Sequence, residues 1–206
     1  MVGKETRLNH IQKQKALMKR LDAIPGKLIS DDFLKNRGLG NEIGFYIFDY
    51  SPEYENLVKE QLEVIEKKLK RKGRSFASVN LFEMLLRQLE AEGVLEDALQ
   101  LHKQEGNDAL IEALKGILSQ ENFGDFLCKQ ILPNEQDFVL LSGLGACWPL
   151  IRGHSLLNVL HARMGETPLV LFFPGSYTGL ELHPFGKISS SNYYRAFELI
   201  PHTVNT

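Results

Sequence analysis

Two glycines in the C-terminal third of the chain are placed where a phosphate could bind. Gly143 and Gly145 follow an apolar segment and precede a predicted helix that carries His154. Glycines between a strand and a helix let backbone N–H groups approach a phosphate, and the helix N-terminus favours an anion. A dinucleotide-binding fingerprint, however, requires a small residue at the position of Trp148. It also requires an acid at a strand end about twenty residues further on, and this sequence has none there. We therefore interpret the loop as a tight structural turn, with ligand binding at Gly143, Gly145 and His154 as the alternative.

Motifs for hydrolysis, nucleophilic catalysis and metal binding are incomplete. Neither Gly26-Lys27 nor Gly186-Lys187 is followed by Ser or Thr, so the phosphate-binding loop of nucleotide hydrolases is missing. Ser176 lacks the G-x-S-x-G context of an exposed nucleophile. Two cysteines are too few for a zinc site, and neither H-x-x-x-H nor C-x-x-C occurs. The sequence predicts no catalytic residue, no metal site, no cofactor and no enzyme activity.

The densest basic run comprises Lys67, Lys68, Lys70, Arg71 and Lys72. These cations could contact DNA phosphates, or they could collect at a helix C-terminus because the helix dipole favours positive charge there. Charge is also segregated along the chain. Residues 89–125 carry nine acids and two lysines, whereas residues 1–36 carry eight Lys or Arg and four acids. Opposed patches of this kind favour docking to another protein over DNA binding.

The elements that must position these residues alternate between strands and helices. Four segments are apolar almost throughout, as expected for strands buried on both faces. They are residues 43–48, 76–79, 137–141 and 169–173, with weaker strand patterns at 180–182 and 195–200. A basic amphipathic helix comes first and is predicted to end at Pro25-Gly26. Helical periodicity covers residues 90–130, with breaks predicted at Gly106 and Glu121-Asn122, and a later helix is predicted from Pro149 to Met164.

This alternation predicts an α/β three-layer sandwich with a mostly parallel central sheet, similar to a P-loop or Rossmann-like core that lacks the Walker A loop. We expect a single domain over residues 1–206, with an N-terminal helical arm at 1–41 and a core at 42–200. The net charge of −2 indicates no bulk attraction to nucleic acid or membrane. Since the sequence has neither an apolar run of about 20 residues nor a signal segment, we expect a cytoplasmic protein without membrane contact.

Three blocks of the sequence resemble the BrxB family of bacterial BREX (bacteriophage exclusion) phage-defence systems. The first is Gly38-Leu39-Gly40-Asn41-Glu42-Ile43-Gly44-Phe45-Tyr46-Ile47-Phe48-Asp49-Tyr50, preceded by Phe33-Leu34. The second runs from Leu141-Ser142-Gly143-Leu144-Gly145 through Pro149-Leu150-Ile151-Arg152-Gly153-His154-Ser155-Leu156-Leu157. The third joins Pro168-Leu169-Val170-Leu171-Phe172-Phe173-Pro174-Gly175-Ser176-Tyr177 to Asn192-Tyr193-Tyr194-Arg195-Ala196-Phe197.

The resemblance implies a non-catalytic component or adaptor of a BREX system. It implies a PglZ-like protein of the alkaline-phosphatase superfamily as the direct partner, with the BREX ATPase and DNA methyltransferase in a larger assembly. The alternative is a nucleotide- or DNA-binding regulatory subunit of the same system. Because ligands of parallel sheets bind beyond the carboxyl ends of the strands, we place the contact surface there. Tyr50, Arg152, Tyr177 and Arg195 are residue types that anchor interfaces.

Overall fold

A parallel sheet forms the middle layer of the fold. The computed structural model describes residues 2–35, 44–185 and 196–202, with side chains from residue 9 onward. Its strands are β1 (Phe45–Tyr50), β2 (Phe76–Asn80), β3 (Phe138–Ser142), β4 (Leu169–Tyr177), β5 (Leu182–Pro184) and β6 (Phe197–Glu198). The order is β2-β3-β4-β1-β6 with every neighbouring pair parallel, while β5 pairs antiparallel with the end of β4.

Helices cover both faces of this sheet. They are α1 (Val2–Leu28), α2 (Asp31–Leu34), α3 (Glu55–Arg71), α4 (Leu81–Ala91), α5 (Leu95–Leu114), α6 (Gln120–Ile131), α7 (Leu144–Cys147) and α8 (Gly153–His161). Short 3-10 turns at Pro52–Tyr54 and Pro133–Glu135 lead into α3 and β3. None of the helices in the described part of the chain is long and apolar enough to cross a membrane.

Alternate residues of each strand belong to two separate cores. In β3, Leu140 packs with α1, α2 and α3, whereas Leu141 packs with α4 to α8. The chain crosses the sheet in one direction from β1 to β2 and in the other from β2 through β3 to β4. Because crossovers between parallel strands are right-handed, this reversal places their helices on opposite faces. The predicted three-layer α/β fold is confirmed.

The first helix extends beyond its predicted end. α1 continues through Pro25 to Leu28, so the prediction that Pro25-Gly26 ends it was wrong. Leu21, Ile24 and Leu28 are almost completely buried against the sheet. Burial of three such side chains is worth about 1.5–3 kcal/mol each, which offsets the hydrogen bond that proline cannot make. The second half of α1 is therefore a layer of the core.

Two other predicted helix boundaries also shift. The helix expected from Pro149 to Met164 is shorter in the structure, because α8 begins only at Gly153 and ends at His161, while the short α7 lies before Pro149. The break expected at Glu121-Asn122 falls earlier, since Ser119 accepts a hydrogen bond from the Asn122 N–H and so caps α6. The break at Gly106 is confirmed, because its φ of 83° lies outside helical geometry.

Candidate functional site

The crevice between β1 and β4 is where this fold would be expected to bind a ligand. The helix that follows β1 lies on one face of the sheet, and the helices that lead into β4 lie on the other. In open parallel sheets, ligands bind beyond the carboxyl ends of the strands at such a reversal of strand order. Asp49, near the end of β1, is the acidic side chain at this point.

The chain itself fills this crevice with a buried ion pair. Arg20 of α1 donates to Asp49 Oδ1 at 2.8 Å, to the Asp49 carbonyl at 2.7 Å and to the Ile200 carbonyl at 3.0 Å. The Tyr177 N–H donates to Asp49 Oδ2 at 3.1 Å, and His202 Nε2 lies 2.8 Å from Oδ1. Arg20 and Asp49 are only 6% and 4% exposed. We call Arg20, Asp49, Tyr177, Ile200 and His202 together the sealed crevice.

Each reactive group in the sealed crevice already has a partner. Both oxygens of the Asp49 carboxylate are hydrogen-bonded, and the Arg20 guanidinium also stacks over the Phe48 ring at 4.6 Å. A buried arginine and carboxylate are stable only when their charges and hydrogen bonds are satisfied in this way. The cluster therefore joins α1, β1, β4 and the C-terminal segment, and it leaves no free acid or cation for a substrate.

Two predicted partner-binding residues are buried in the structure. The Tyr50 hydroxyl donates to Glu55 Oε2 at 2.7 Å, and burial together with the Glu55 carboxylate raises the pKa of Tyr50. The Tyr177 hydroxyl donates to the Ala196 carbonyl at 2.7 Å. Both side chains belong to the core, so neither is exposed in the structure for contact with a partner. Arg195 lies outside the described residues.

The two glycines of the candidate ligand loop have structural roles. Gly143 has a φ of 74°, and a Cβ there would lie 2.4 Å from Asn80 Oδ1. That oxygen caps α4 by accepting hydrogen bonds from the Phe82 and Glu83 N–H groups. A Cβ at Gly145 would lie 3.1 Å from Pro174 Cγ. Gly143 makes room for the cap of a neighbouring helix, and α7, with four residues, is too short to bind an anion at its N-terminus.

An exposed aromatic and an exposed arginine lie beside this loop. Trp148 follows α7, is 46% exposed and contacts Phe185 edge-on at 6.1 Å between ring centroids. Arg152 precedes α8, and its backbone N–H donates to Gln120 Oε1 at 3.3 Å. Its side chain is exposed, without an ion-pair partner in the described part of the chain. We call Trp148, Arg152, His154 and Phe185 the open rim.

His154 is a half-buried member of the open rim. Its Nε2 lies 3.0 Å from Ser155 Oγ. Burial lowers the pKa of His154, and the positive charge of Arg152 lowers it further. The imidazole is therefore mostly neutral at pH 7, so the positive charge of the open rim comes from Arg152.

The candidate DNA contacts and the open rim lie at opposite edges of the sheet. Lys67, Lys68, Lys70, Arg71 and Lys72 are all exposed at the C-terminal end of α3. Because α3 leads from the carboxyl end of β1 to the amino end of β2, this end of the helix lies at the amino edge of the sheet. The structure thus separates the basic run from the loop residues and does not combine them in one site.

Neither Arg20 nor Trp148 was predicted from the sequence to be a site residue. Arg20 lies on the same helix face as Leu17, Leu21 and Ile24, and a charge on an apolar stripe indicates a buried partner. Nothing in the sequence distinguishes an exposed Trp148 from a core tryptophan. Among the described residues, no three His, Cys, Asp or Glu side chains come close enough to hold a metal ion.

Comparison with known proteins identifies the family of this parallel α/β protein. The family model described as BREX protein BrxB matches residues 77–199. A protein named BREX protein BrxB from Escherichia coli O9:H4 (strain HS) is 43% identical over 184 residues, covering 89% of this chain and 92% of the relative. One of the same name from Bacillus cereus (strain H3081.97) is 42% identical over 184 residues, covering 88% and 96%. No solved structure matches the chain significantly.

The chain belongs to the BrxB family, as its three sequence blocks indicated. It is a component of a BREX phage-defence system.

Proposed function

We propose that this chain is a non-catalytic adaptor of its BREX system and that its open rim binds a PglZ-like protein of the alkaline-phosphatase superfamily. The observation that carries the proposal is the exposure of Trp148 beside Arg152, next to a crevice that the chain seals with its own residues. The ATPase and the DNA methyltransferase of the system belong to the larger assembly in this proposal.

The sealed crevice supports the non-catalytic part of the proposal. A catalytic acid or base must reach the proton that it transfers. Asp49 is 4% exposed and is held by Arg20, Tyr177 and His202. A substrate would have to break a buried ion pair before contacting the carboxylate, and the fold would lose stability in the process.

The composition of the open rim supports the binding part. Tryptophan and arginine are enriched among the residues that contribute most to protein–protein affinity, because each buries a large area and makes directional contacts. Trp148 packs against Phe185, so its ring is partly ordered before a partner binds. A pre-ordered side chain loses less conformational entropy on association.

The alternative is a nucleotide- or DNA-binding regulatory subunit. The observation that favours it is the run of five exposed cations from Lys67 to Lys72. Calorimetry with ATP, GTP and NAD, and gel retardation of duplex DNA, test this alternative directly. The adaptor proposal predicts no heat on adding nucleotide. It also predicts that changing Lys67 and Lys68 to Gln does not weaken any retardation of duplex DNA.

Affinity purification from the native host tests the proposal. The tagged chain is recovered at about 0.3 M salt, where weak surface-charge contacts are largely screened, and the proteins bound to it are identified by mass spectrometry. The proposal predicts near-stoichiometric recovery of a PglZ-like protein from wild type and its loss from Arg152→Glu. Recovery of the chain alone would overturn the proposal.

A further inference from the structure

Helix α5 forms an elbow at Gly106, and its middle is not buried. Gly106 divides it into two segments, and none of the residues from 99 to 109 is buried. Within α5, only Ala98 and Leu114, near its two ends, belong to the buried core. Its middle therefore contributes little to the core and is available for contact with another molecule.

The elbow carries a strong excess of negative charge. Five acids and one lysine lie within Leu95–Leu114, and the acids are Glu96, Asp97, Glu105, Asp108 and Glu112. Among the described residues, Glu112 is the one of these five with an ion-pair partner, Lys115. We call the other four the acidic elbow. Exposed carboxylates without ion-pair partners attract a positively charged surface.

A positively charged surface lies on the opposite face of the sheet. Residues 67–74 contain six Lys or Arg and no acid. The five from Lys67 to Lys72 are exposed and have no ion-pair partner within the described ranges, while Arg74 lies 3.8 Å from Asp137. Helix α3 packs on one face of the sheet and α5 on the other. The two charged surfaces therefore cannot neutralise each other within one chain.

We infer that copies of this chain associate head to tail, with the acidic elbow of one copy against the basic end of α3 of the next. A single occupant, a second copy, satisfies both surfaces, whereas DNA or a basic protein would satisfy one. The net charge of −2 adds almost no repulsion between copies. Such an interface joins two different surfaces, so it produces either a closed ring or an open chain of copies.

This association uses neither the open rim nor the sealed crevice. The acidic elbow and the basic end of α3 lie outside both, so a copy in the assembly still presents Trp148 and Arg152 to a partner. The inference therefore holds or fails independently of the adaptor function.

Sedimentation velocity of the full-length chain with charge-reversal variants tests this inference. One variant carries Glu105→Lys and Asp108→Lys in the acidic elbow, and the other carries Lys67→Glu and Lys68→Glu in α3. Wild type is expected to associate reversibly at about 100 µM in 0.05 M NaCl, and about tenfold more weakly in 0.5 M NaCl because salt screens exposed charges. Each variant alone is expected to be monomeric.

Mixing and matched controls make the result specific. An equimolar mixture of the two variants is expected to associate again, because the elbow of one then faces the complementary α3 of the other. A chain with all four substitutions is also expected to self-associate. The matched control is Lys13→Glu with Lys15→Glu, which changes the net charge as much as the α3 variant does but at exposed lysines of α1. Association should persist in this control.

Three outcomes would overturn the inference. They are monomeric wild type at low salt, association that both reversals leave unchanged, and failure of the mixture to associate. Retardation of duplex DNA by wild-type monomers that Lys67→Glu abolishes would assign the basic end of α3 to nucleic acid instead. Thermal melts of each variant exclude unfolding as the cause of lost association. Glu105→Gln with Asp108→Asn replaces an elbow variant that does not fold, and Lys67→Gln with Lys68→Gln replaces an α3 variant that does not fold.

Discussion

The sealed crevice and the open rim lie along the same edge of the sheet but contain opposite kinds of residue. In the crevice, Arg20 and Asp49 are charged, buried and fully hydrogen-bonded to the chain. In the open rim, Trp148 and Arg152 are exposed, and Arg152 has no ion-pair partner in the described ranges. The first region contains the residue types of an active site and the second those of an interface.

The difference shows how burial decides what a reactive residue type does. Asp49 at the end of a parallel strand has the position of a catalytic carboxylate, yet its contacts join α1 and the C-terminal segment to the sheet. Trp148 of the open rim does not connect elements in this way, because its side chain belongs to neither of the two cores. Substitutions in the crevice should therefore change stability, and those in the open rim should change binding.

The largest expected effect follows from removing the Asp49 carboxylate. Asp49→Ala leaves the Arg20 guanidinium buried without a counter-charge, which costs about 3–5 kcal/mol of unfolding free energy. Urea denaturation monitored by circular dichroism measures this loss. Arg152→Ala is the matched control, and we expect its effect to stay within about 0.5 kcal/mol because the side chain is exposed. Equal effects of the two substitutions would remove the distinction between the regions.

The next effect concerns Gly143 in the loop beside the open rim. Gly143→Ala places a Cβ against Asn80 Oδ1 and strains a backbone with positive φ. We expect a loss of about 2–3 kcal/mol, from about 1–2 kcal/mol of backbone strain and partial loss of the α4 cap. Gly93→Ala is a close control, since Gly93 has a φ of 72° with open space around its Cβ position. If both variants lose the same stability in urea, the Asn80 contact contributes nothing.

Trp148→Ala should have a small effect on stability. The ring is 46% exposed and its aromatic contact is with Phe185 alone among the described residues. We expect a loss of at most about 1 kcal/mol, the scale of a single aromatic pair. Thermal denaturation at several scan rates gives the comparison with wild type. A loss as large as that of Asp49→Ala would identify Trp148 as a core residue and weaken its assignment to an interface.

The smallest expected effect is electrostatic and concerns His154. Its pKa is lowered in the folded chain by burial and by Arg152. The unfolded chain therefore binds this proton more readily, so the stability contributed by His154 is retained above about pH 6.5 and decreases as the pH falls through the window below that value. Arg152→Gln should raise the His154 pKa toward, without reaching, its ordinary value. NMR titration of the imidazole protons measures it, with Lys67→Gln at the amino edge of the sheet as a distant control. An unchanged His154 pKa in Arg152→Gln would contradict this electrostatic coupling.

The sequence predicted the sheet better than it predicted the site, for physical reasons. Strands buried on both faces are apolar at nearly every position, so the segments at 43–48 and 169–173 identified β1 and β4 with small errors at their ends. The contacts of Asp49 with Arg20 and His202 span 29 and 153 residues, and no local pattern encodes such pairs.

The solvent exposure of individual side chains could not be predicted from the sequence. Tyr50 and Trp148 are equally plausible interface anchors by residue type, yet one hydroxyl is buried against Glu55 and the other ring faces solvent. The end of α1 was predicted wrongly at Pro25 because burial could not be predicted there either. Leu28, beyond the proline, is buried, and its packing keeps α1 helical. Tertiary packing determines these outcomes, and local propensity contributes little to them.

Calorimetric titration of the chain with the PglZ-like protein of its own system tests the central claim most directly. Trp148→Ala and Arg152→Glu should each weaken binding by about 30-fold or more, the effect of losing an interface residue worth about 2 kcal/mol. Glu63→Lys, an exposed substitution on α3, should bind as wild type does. Wild-type affinity in both rim variants, with their folds intact, would contradict the account and move the interface to another surface.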